Sequence, residues 1–281
     1  FSKASEKIFL KPIQLTIAPE IIDIHLPSYG VAHNLVLVKT KTTYPAQNFK
    51  IMNALLGAGQ MMFSKVIVSF DENVDIYNDK EVFESVLQIE QLSKNIIIGK
   101  GPADVLDHAS YEYTFSGKLL VDASRKNPND KEILKEKISS NEYSAHDDRI
   151  LFIKKTDTNN FLEIQEKYSD KTNYPELKML IFIDNIDLSD SQELLPWYIL
   201  NNIDPANDCL IRNEILFINA CIKTLSENNF NRDWPNIVCM DDKTISNIDK
   251  KWASLVDSEH IPSPSLKIKH LVCGNSAIFN K

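Results

Sequence analysis

The sequence predicts an α/β fold: a layered, mostly parallel sheet flanked by helices, with a polar excursion in mid-chain and an irregular C-terminal tail. Two observations carry this reading. Apolar runs of strand length, at residues 34–38, 66–70 and 179–183, alternate with segments whose apolar residues recur at helical spacing. The connections between them are short, which is the grammar of parallel βαβ units. Composition agrees, since 281 residues with 43% hydrophobic and 25% charged side chains suffice for a packed core.

The first helix is expected over residues 2–10. Residues 13–26, rich in isoleucine and punctuated by Pro12, Pro19 and Pro27, read as an extended, edge-like connection. An apolar strand then runs from Val31 through Val38, followed by a helix over 44–56, where Phe49, Met52, Leu55 and Leu56 fall on one face and Gly57 and Gly59 supply the stop. After the strand at 66–70, Asn78 and Glu81 spell a capping box before Val82, Phe83, Val86 and Leu87. Residues 96–98 are a third strand, expected to join the parallel set.

Between 124 and 148 the chain turns polar, with a surface helix expected over 131–137, and the core resumes at 150–153. This divides the chain into an entry segment (1–30), a first βα portion (31–125), the polar excursion (126–148) and a second βα portion with the tail (149–281). Lys65, Asp71, Asp75 and Glu81 are echoed by Lys178, Asp184, Asp187 and Glu193 around the strand at 179–183. That echo is either an internal repeat or convergence on a common strand-to-helix grammar. Pro196 lies either in the first turn of a helix or at a kink.

Charge and cysteines narrow the function. With 31 basic against 39 acidic residues and a net charge of −8, the chain repels a phosphate backbone, which argues against nucleic acid as a partner. No apolar run approaches the roughly 20 residues of a membrane helix. Cys209, Cys221, Cys239 and Cys273 show no metal-ligand spacing and read as reduced thiols, with a disulfide pair left open. No basic-then-apolar leader is seen, which points to a cytoplasmic chain. Because it begins at Phe1, it reads as a piece of something longer.

Several groups have the residue types of a site. Asp71, Glu72 and Asp75 follow the carboxyl end of a buried strand, where Mg²⁺ for phosphoryl chemistry could be held, or where they serve only as turn formers and helix N-terminal charges. Gly57 and Gly59 follow a helix rather than open one, so they cap it and do not cradle phosphate. Asp107, His108 and Ser110 have triad chemistry but are sequence neighbours, and read as a structured polar loop. His25, His33, His146, His260 and His270 show no paired spacing, so no metal site is expected. Lys65, a cation entering an apolar strand, could reach a phosphate or snorkel to water.

Several stretches together resemble the C-terminal portion of the UbiD-like decarboxylases. They are residues 57–75 (GAGQMMFSKVIVSFDENVD), the helix at 5–10, 101–109 (GPADVLDHA) and 116–126 (SGKLLVDASRK). Residues 201–208 (NNIDPAND), Trp234 and Pro235 with 236–239, and 261–266 (IPSPSL) look closest to the menaquinone-biosynthesis branch.

The resemblance implies a carboxy-lyase that uses prenylated flavin mononucleotide, with a divalent metal and, as a further candidate, K⁺, to decarboxylate an aromatic or α,β-unsaturated acid. A ubiquinone or menaquinone precursor is one such acid. The family's glutamate, arginine, glutamate set and its metal ligands lie upstream of the helix that opens this chain. No catalytic residue is therefore carried over, and the chain alone is expected to be inactive and to hold no cofactor. Lys65 is carried over as a flavin-phosphate contact, and the loop 113–119 as a substrate-facing lip with Phe115 and Leu119 as its apolar contacts. The implied partners are a homo-oligomer, the missing N-terminal flavin half, and a flavin prenyltransferase as cofactor supplier. The alternatives are a non-catalytic assembly module or a Mg²⁺-dependent phosphoryl site at Asp71, Glu72 and Asp75.

Overall fold

The computed structural model describes residues 2–124, 137–138, 142–145, 149–188 and 193–279. It divides into two compact units, one of Phe1–Asn185 with Pro196–Ile222 and one of Ile186–Leu195 with Lys223–Lys281. The first begins with helix α1 (Ser2–Thr16) and strands β1 (Ile21–His25) and β2 (Leu35–Thr40), then α2 (Gln47–Leu56), β3 (Val66–Asp71), α3 (Asp79–Leu87), α4 (Leu92–Asn95), β4 (Ile96–Pro102) and β5 (Phe115–Asp122). It continues through β6 (Lys137–Ile138), β7 (Glu142–Ala145), β8 (Ile150–Lys154), α5 (Phe161–Tyr168), β9 (Met179–Ile183), α6 (Leu194–Asn202), α7 (Pro205–Asp208), β10 (Cys209–Arg212) and β11 (Ile215–Asn219). The surface helix expected at 131–137 lies, but for its last residue, outside the described residues.

Two sheets form, in the orders β1-β2-β3-β5-β4 and β10-β11-β9-β8-β7-β6. In each, three parallel strands are flanked by antiparallel ones. Apart from the extra β6, the second sheet repeats the first, with β7-β8-β9-β11-β10 standing where β1-β2-β3-β5-β4 stand. The registers agree: Val66 pairs with Leu35 and Leu119, and Met179 with Ile150 and Leu216. The Leu119 N–H donates to the Lys65 carbonyl at 2.9 Å, and Leu216 to that of Lys178 at 2.9 Å. Lys65 thus corresponds to Lys178 and Asp71 to Asp184, which makes their echo in sequence part of a repeated design.

Strand alternation sets the layers. In the first sheet Val36, Val38, Ile67 and Leu120 point to one face, where Ile51, Met52 and Leu55 of α2 and Ile13 of α1 cover them. In the second, Leu180, Phe182, Ile215 and Phe217 meet Ile164 and Tyr168 of α5. The opposite faces, carrying Val66, Val68, Leu119 and Val121 in one sheet and the corresponding Met179, Ile181, Leu216 and Ile218 in the other, line a shared cavity of ≈ 170 Å³ together with α3 and α6.

Three expectations are corrected. The first helix does not stop at residue 10 but runs through Pro12 to Thr16, because Ile13 is buried in the core and the Thr16 hydroxyl donates to the Pro12 carbonyl at 2.7 Å. The extended stretch shrinks accordingly to β1. The strand expected from Val31 starts at Leu35, since Val31 and Ala32 take left-handed backbone conformations with φ of 43° and 63°. The third strand, β4, is antiparallel to its neighbour, because β5 returns as a hairpin and inserts between β3 and β4. Elsewhere, Gly57 is the C-cap of α2, the Asn78 side chain caps α3, and Pro196 falls in the first turn of α6.

The second unit holds α8 (Leu225–Asn228) and α9 (Asp242–Leu255), the latter capped by Asp241, whose carboxylate accepts from the Thr244 N–H at 2.7 Å. Its tail is tied back rather than loose: Asn236 donates to the carbonyls of Cys273 at 2.5 Å and Ser276 at 2.9 Å, and the Phe279 N–H donates to the Trp234 carbonyl at 2.8 Å. Cys209, Cys221, Cys239 and Cys273 form no disulfide. Among the described residues no helix is long and apolar enough to cross a membrane.

Pro12 removes one helical N–H donor and crowds the carbonyl one turn earlier. Replacing it by alanine should raise stability by about 1–3 kcal/mol, read as a higher midpoint in urea; a lower midpoint would mean that the proline fixes the path of α1.

Candidate functional site

Four of the polar residues singled out by sequence, Lys65, Asp107, His108 and Ser110, lie where the β4–β5 loop meets the end of α6. Lys65 sits just before β3 with its ammonium 2.9 Å from the Asp107 carboxylate and 3.2 Å from the Leu200 carbonyl. It is 2% exposed. Asp107 also accepts the Ala109 N–H at 3.2 Å, and its carbonyl accepts the Ser110 hydroxyl at 2.9 Å, so the loop folds around the ion pair. The His108 Nε2 lies 3.4 Å from the Asn202 side-chain oxygen.

A second buried cation, Lys118 on β5, donates to three carbonyls: Met62 at 2.9 Å, Ser64 at 2.9 Å and Pro102 at 2.5 Å. Those three bonds use all of its ammonium donors. Burial pulls its pKa down from 10.5 to about 8; the charge of Asp107 opposes this, Lys65 adds to it and Asp204 opposes it. Tyr111 is held protonated by burial and by the charges of Asp208 and Asp204.

Asp204 closes the cluster from the other repeat. As the N-cap of α7 it accepts the Ala206 N–H at 3.3 Å, and the same oxygen accepts the Gly117 N–H at 2.6 Å and the Ser116 hydroxyl at 3.3 Å. Its other oxygen accepts the Tyr111 N–H at 3.3 Å and the Asn207 amide at 2.9 Å. Glycine is required at 117: a Cβ there would lie 2.0 Å from the Ala206 nitrogen. The repeat relation recurs here. Lys178 reaches across to the carbonyls of Ile89 at 3.0 Å and Glu90 at 3.3 Å, and Glu214, which corresponds to Gly117, accepts the Ser93 N–H at the start of α4 at 3.1 Å.

The remaining candidates are placed as follows. Phe115 is 39% exposed at the end of the hairpin, alongside the exposed Leu106 and Tyr113, whereas Leu119 is 4% exposed and faces the internal cavity. Asp71 accepts from the backbone and side chain of Asn73 and Asp75 from the Tyr77 N–H at 3.0 Å, which are turn contacts. Among the described residues no group of three or more His, Cys, Asp or Glu side chains is placed to hold a metal ion. Sequence reasoning missed Lys118 and Asp204. The signals were a lysine inside an otherwise apolar strand and an aspartate directly before proline, the spelling of an N-cap.

This arrangement locks one loop to two repeats, and the part of the chain that holds most of it has known counterparts. Residues 1–123 match the family model of the 3-octaprenyl-4-hydroxybenzoate carboxy-lyase C-terminal domain. An uncharacterized protein of Helicobacter pylori strain J99 is 33% identical in an alignment 269 positions long that covers 88% of this chain and 42% of that protein. One of Aquifex aeolicus is 42% identical over 123 residues, 44% of this chain and 25% of that protein. The chain thus spans less than half the length of these relatives. Among solved structures, the UbiD-class enzyme HmfF from Pelotomaculum thermopropionicum in complex with FMN aligns with a TM-score of 0.40 and 20% identity, over 45% of this chain and 28% of that one. Vanillic acid decarboxylase of Sedimentibacter hydroxybenzoicus in closed form aligns with 0.38 and 22%, over 44% and 27%.

Two outcomes test the cluster. Asp107→Asn leaves the Lys65 charge buried without its partner and should cost about 3–5 kcal/mol, measured by urea unfolding; a loss below 1 kcal/mol would show the pair to be incidental. Between pH 8 and 10.5 the unfolded chain holds the Lys118 proton and the folded chain releases it, so the penalty present below pH 8 is relieved as pH rises. Stability should therefore gain a rising component over that window, and Lys118→Met should flatten it.

Proposed function

We propose that this chain is the C-terminal portion of a UbiD-class carboxy-lyase and that it serves as the rigid body against which an upstream flavin-binding half is organised. The observation that carries this is the family match over residues 1–123, within which Lys65, Asp107 and Lys118 form one buried cluster. The parent protein would decarboxylate an aromatic or α,β-unsaturated acid, a quinone precursor of the menaquinone branch being the favoured case. It would do so in the cytoplasm, as a homo-oligomer supplied with prenylated flavin by a prenyltransferase.

That flavin supplies an electron sink for loss of CO₂. The residues of this chain do not fit a ready phosphate site for it. Two of the three Lys65 donors go to Asp107 and Leu200, and at 2% exposure a phosphate could reach the ammonium only if the ion pair opened. What the chain contributes is placement. The cluster fixes the β4–β5 loop, and the exposed apolar side chains Leu106, Tyr113 and Phe115 at its outer edge are the contacts it would offer to the upstream half or to substrate. A reading as a non-catalytic assembly module draws on the same internally satisfied cluster and differs only in what lies upstream.

The test is to produce the 281-residue chain with a flavin prenyltransferase, beside a version extended upstream, and to record the flavin absorbance of each. A colourless short chain beside a coloured long one is expected. Stoichiometric flavin on the short chain would contradict the proposal.

A further inference from the structure

The cavity between the two sheets has an almost wholly apolar lining. We propose that it is a binding site for a neutral single-ring arene. Its volume of ≈ 170 Å³ is close to the roughly 150 Å³ of an aliphatic-lined cavity that stays dry and admits benzene. The walls are strand side chains in corresponding pairs, Val68 facing inward in one repeat and Ile181 in the other.

The two polar groups at its edge are already engaged. The Tyr29 hydroxyl donates to Asp79 at 2.8 Å, and the Lys178 ammonium reaches the carbonyls of Ile89 and Glu90. A carboxylate on the ring would give up its hydration for at most the one Lys178 donor that those two carbonyls leave over, so the site favours the neutral ring over the aromatic acid. Access lies between α3 and α6: Phe83 is 39% exposed, and Pro196 and Ile199 are half-buried, whereas Val66, Val68, Leu119 and Ile181 behind them are buried. On the decarboxylase reading above, and resting on it, a single-ring aromatic acid that has lost CO₂ is such a ring. Affinity for the neutral ring stands without that reading.

The experiment uses the full 281-residue chain and follows thermal unfolding with benzene or benzoate, together with xenon NMR. Saturating benzene should raise the midpoint by about 2–4 °C, benzoate should not, and the xenon resonance should shift on adding protein. Val68→Phe, which fills the cavity, should abolish the benzene effect. If that variant fails to fold, Leu119→Ala should enlarge the cavity enough for naphthalene to raise the midpoint where it does not in the unmodified chain. Absence of a benzene or xenon shift, an equal shift with benzoate, a benzene shift surviving Val68→Phe, or no naphthalene effect in Leu119→Ala would overturn the proposal. None of these readouts involves flavin, so failure here is separable from failure of the decarboxylase reading.

Discussion

The Lys65–Asp107 ion pair is the contact on which the first unit depends. An ammonium taken out of water to 2% exposure is tolerable only when its charge is balanced and its donors are used. Asp107 supplies the charge and the Leu200 carbonyl a further acceptor. Since Asp107 lies on the β4–β5 loop, Lys65 at the head of β3 and Leu200 on α6, satisfying one cation holds three elements from two repeats. Lys118 adds a second set of constraints, because its three carbonyl acceptors come from the segment before β3 and the end of β4.

The same logic recurs in weaker form across the repeat. Lys178, the counterpart of Lys65, reaches backbone carbonyls beyond α3, whereas Lys65 meets the full charge of a buried carboxylate. Glu214 caps α4 from the position where Gly117 lets α7 approach. The repeats share a strand order yet have diverged in their loops: the first carries a long β4–β5 connection built around the ion pair, and the second a tight turn with Asn213 and Glu214 at φ of 50° and 58°. The two inner sheet faces present branched aliphatics to one another, and it is between them that the cavity lies.

How much of this could be read from the sequence follows from which interactions are local. Apolar runs and helical spacing gave the α/β class, and Asn78, Gly57 and Pro196 marked helix ends because capping and proline chemistry act within one turn. The course of α1 past Pro12 was hidden because burial of Ile13 outweighs the local cost of the proline. The direction of β4 depends on insertion of β5, a pairing that no short window contains. Lys65 could be singled out as a cation in an apolar run, but its role rests on Leu200, 135 residues away, and Lys118 and Asp204 are tied through contacts of the same non-local kind.

A double-mutant cycle on Lys65→Met and Asp107→Leu tests most directly whether this pair organises the unit. If the ion pair is the organising contact, each single change is strongly destabilising, while the double change, which removes both charges, recovers most of the loss, giving a coupling of about 3 kcal/mol or more. Effects that add to within about 0.5 kcal/mol would mean that the two side chains contribute independently and that the pair does not organise the elements around it.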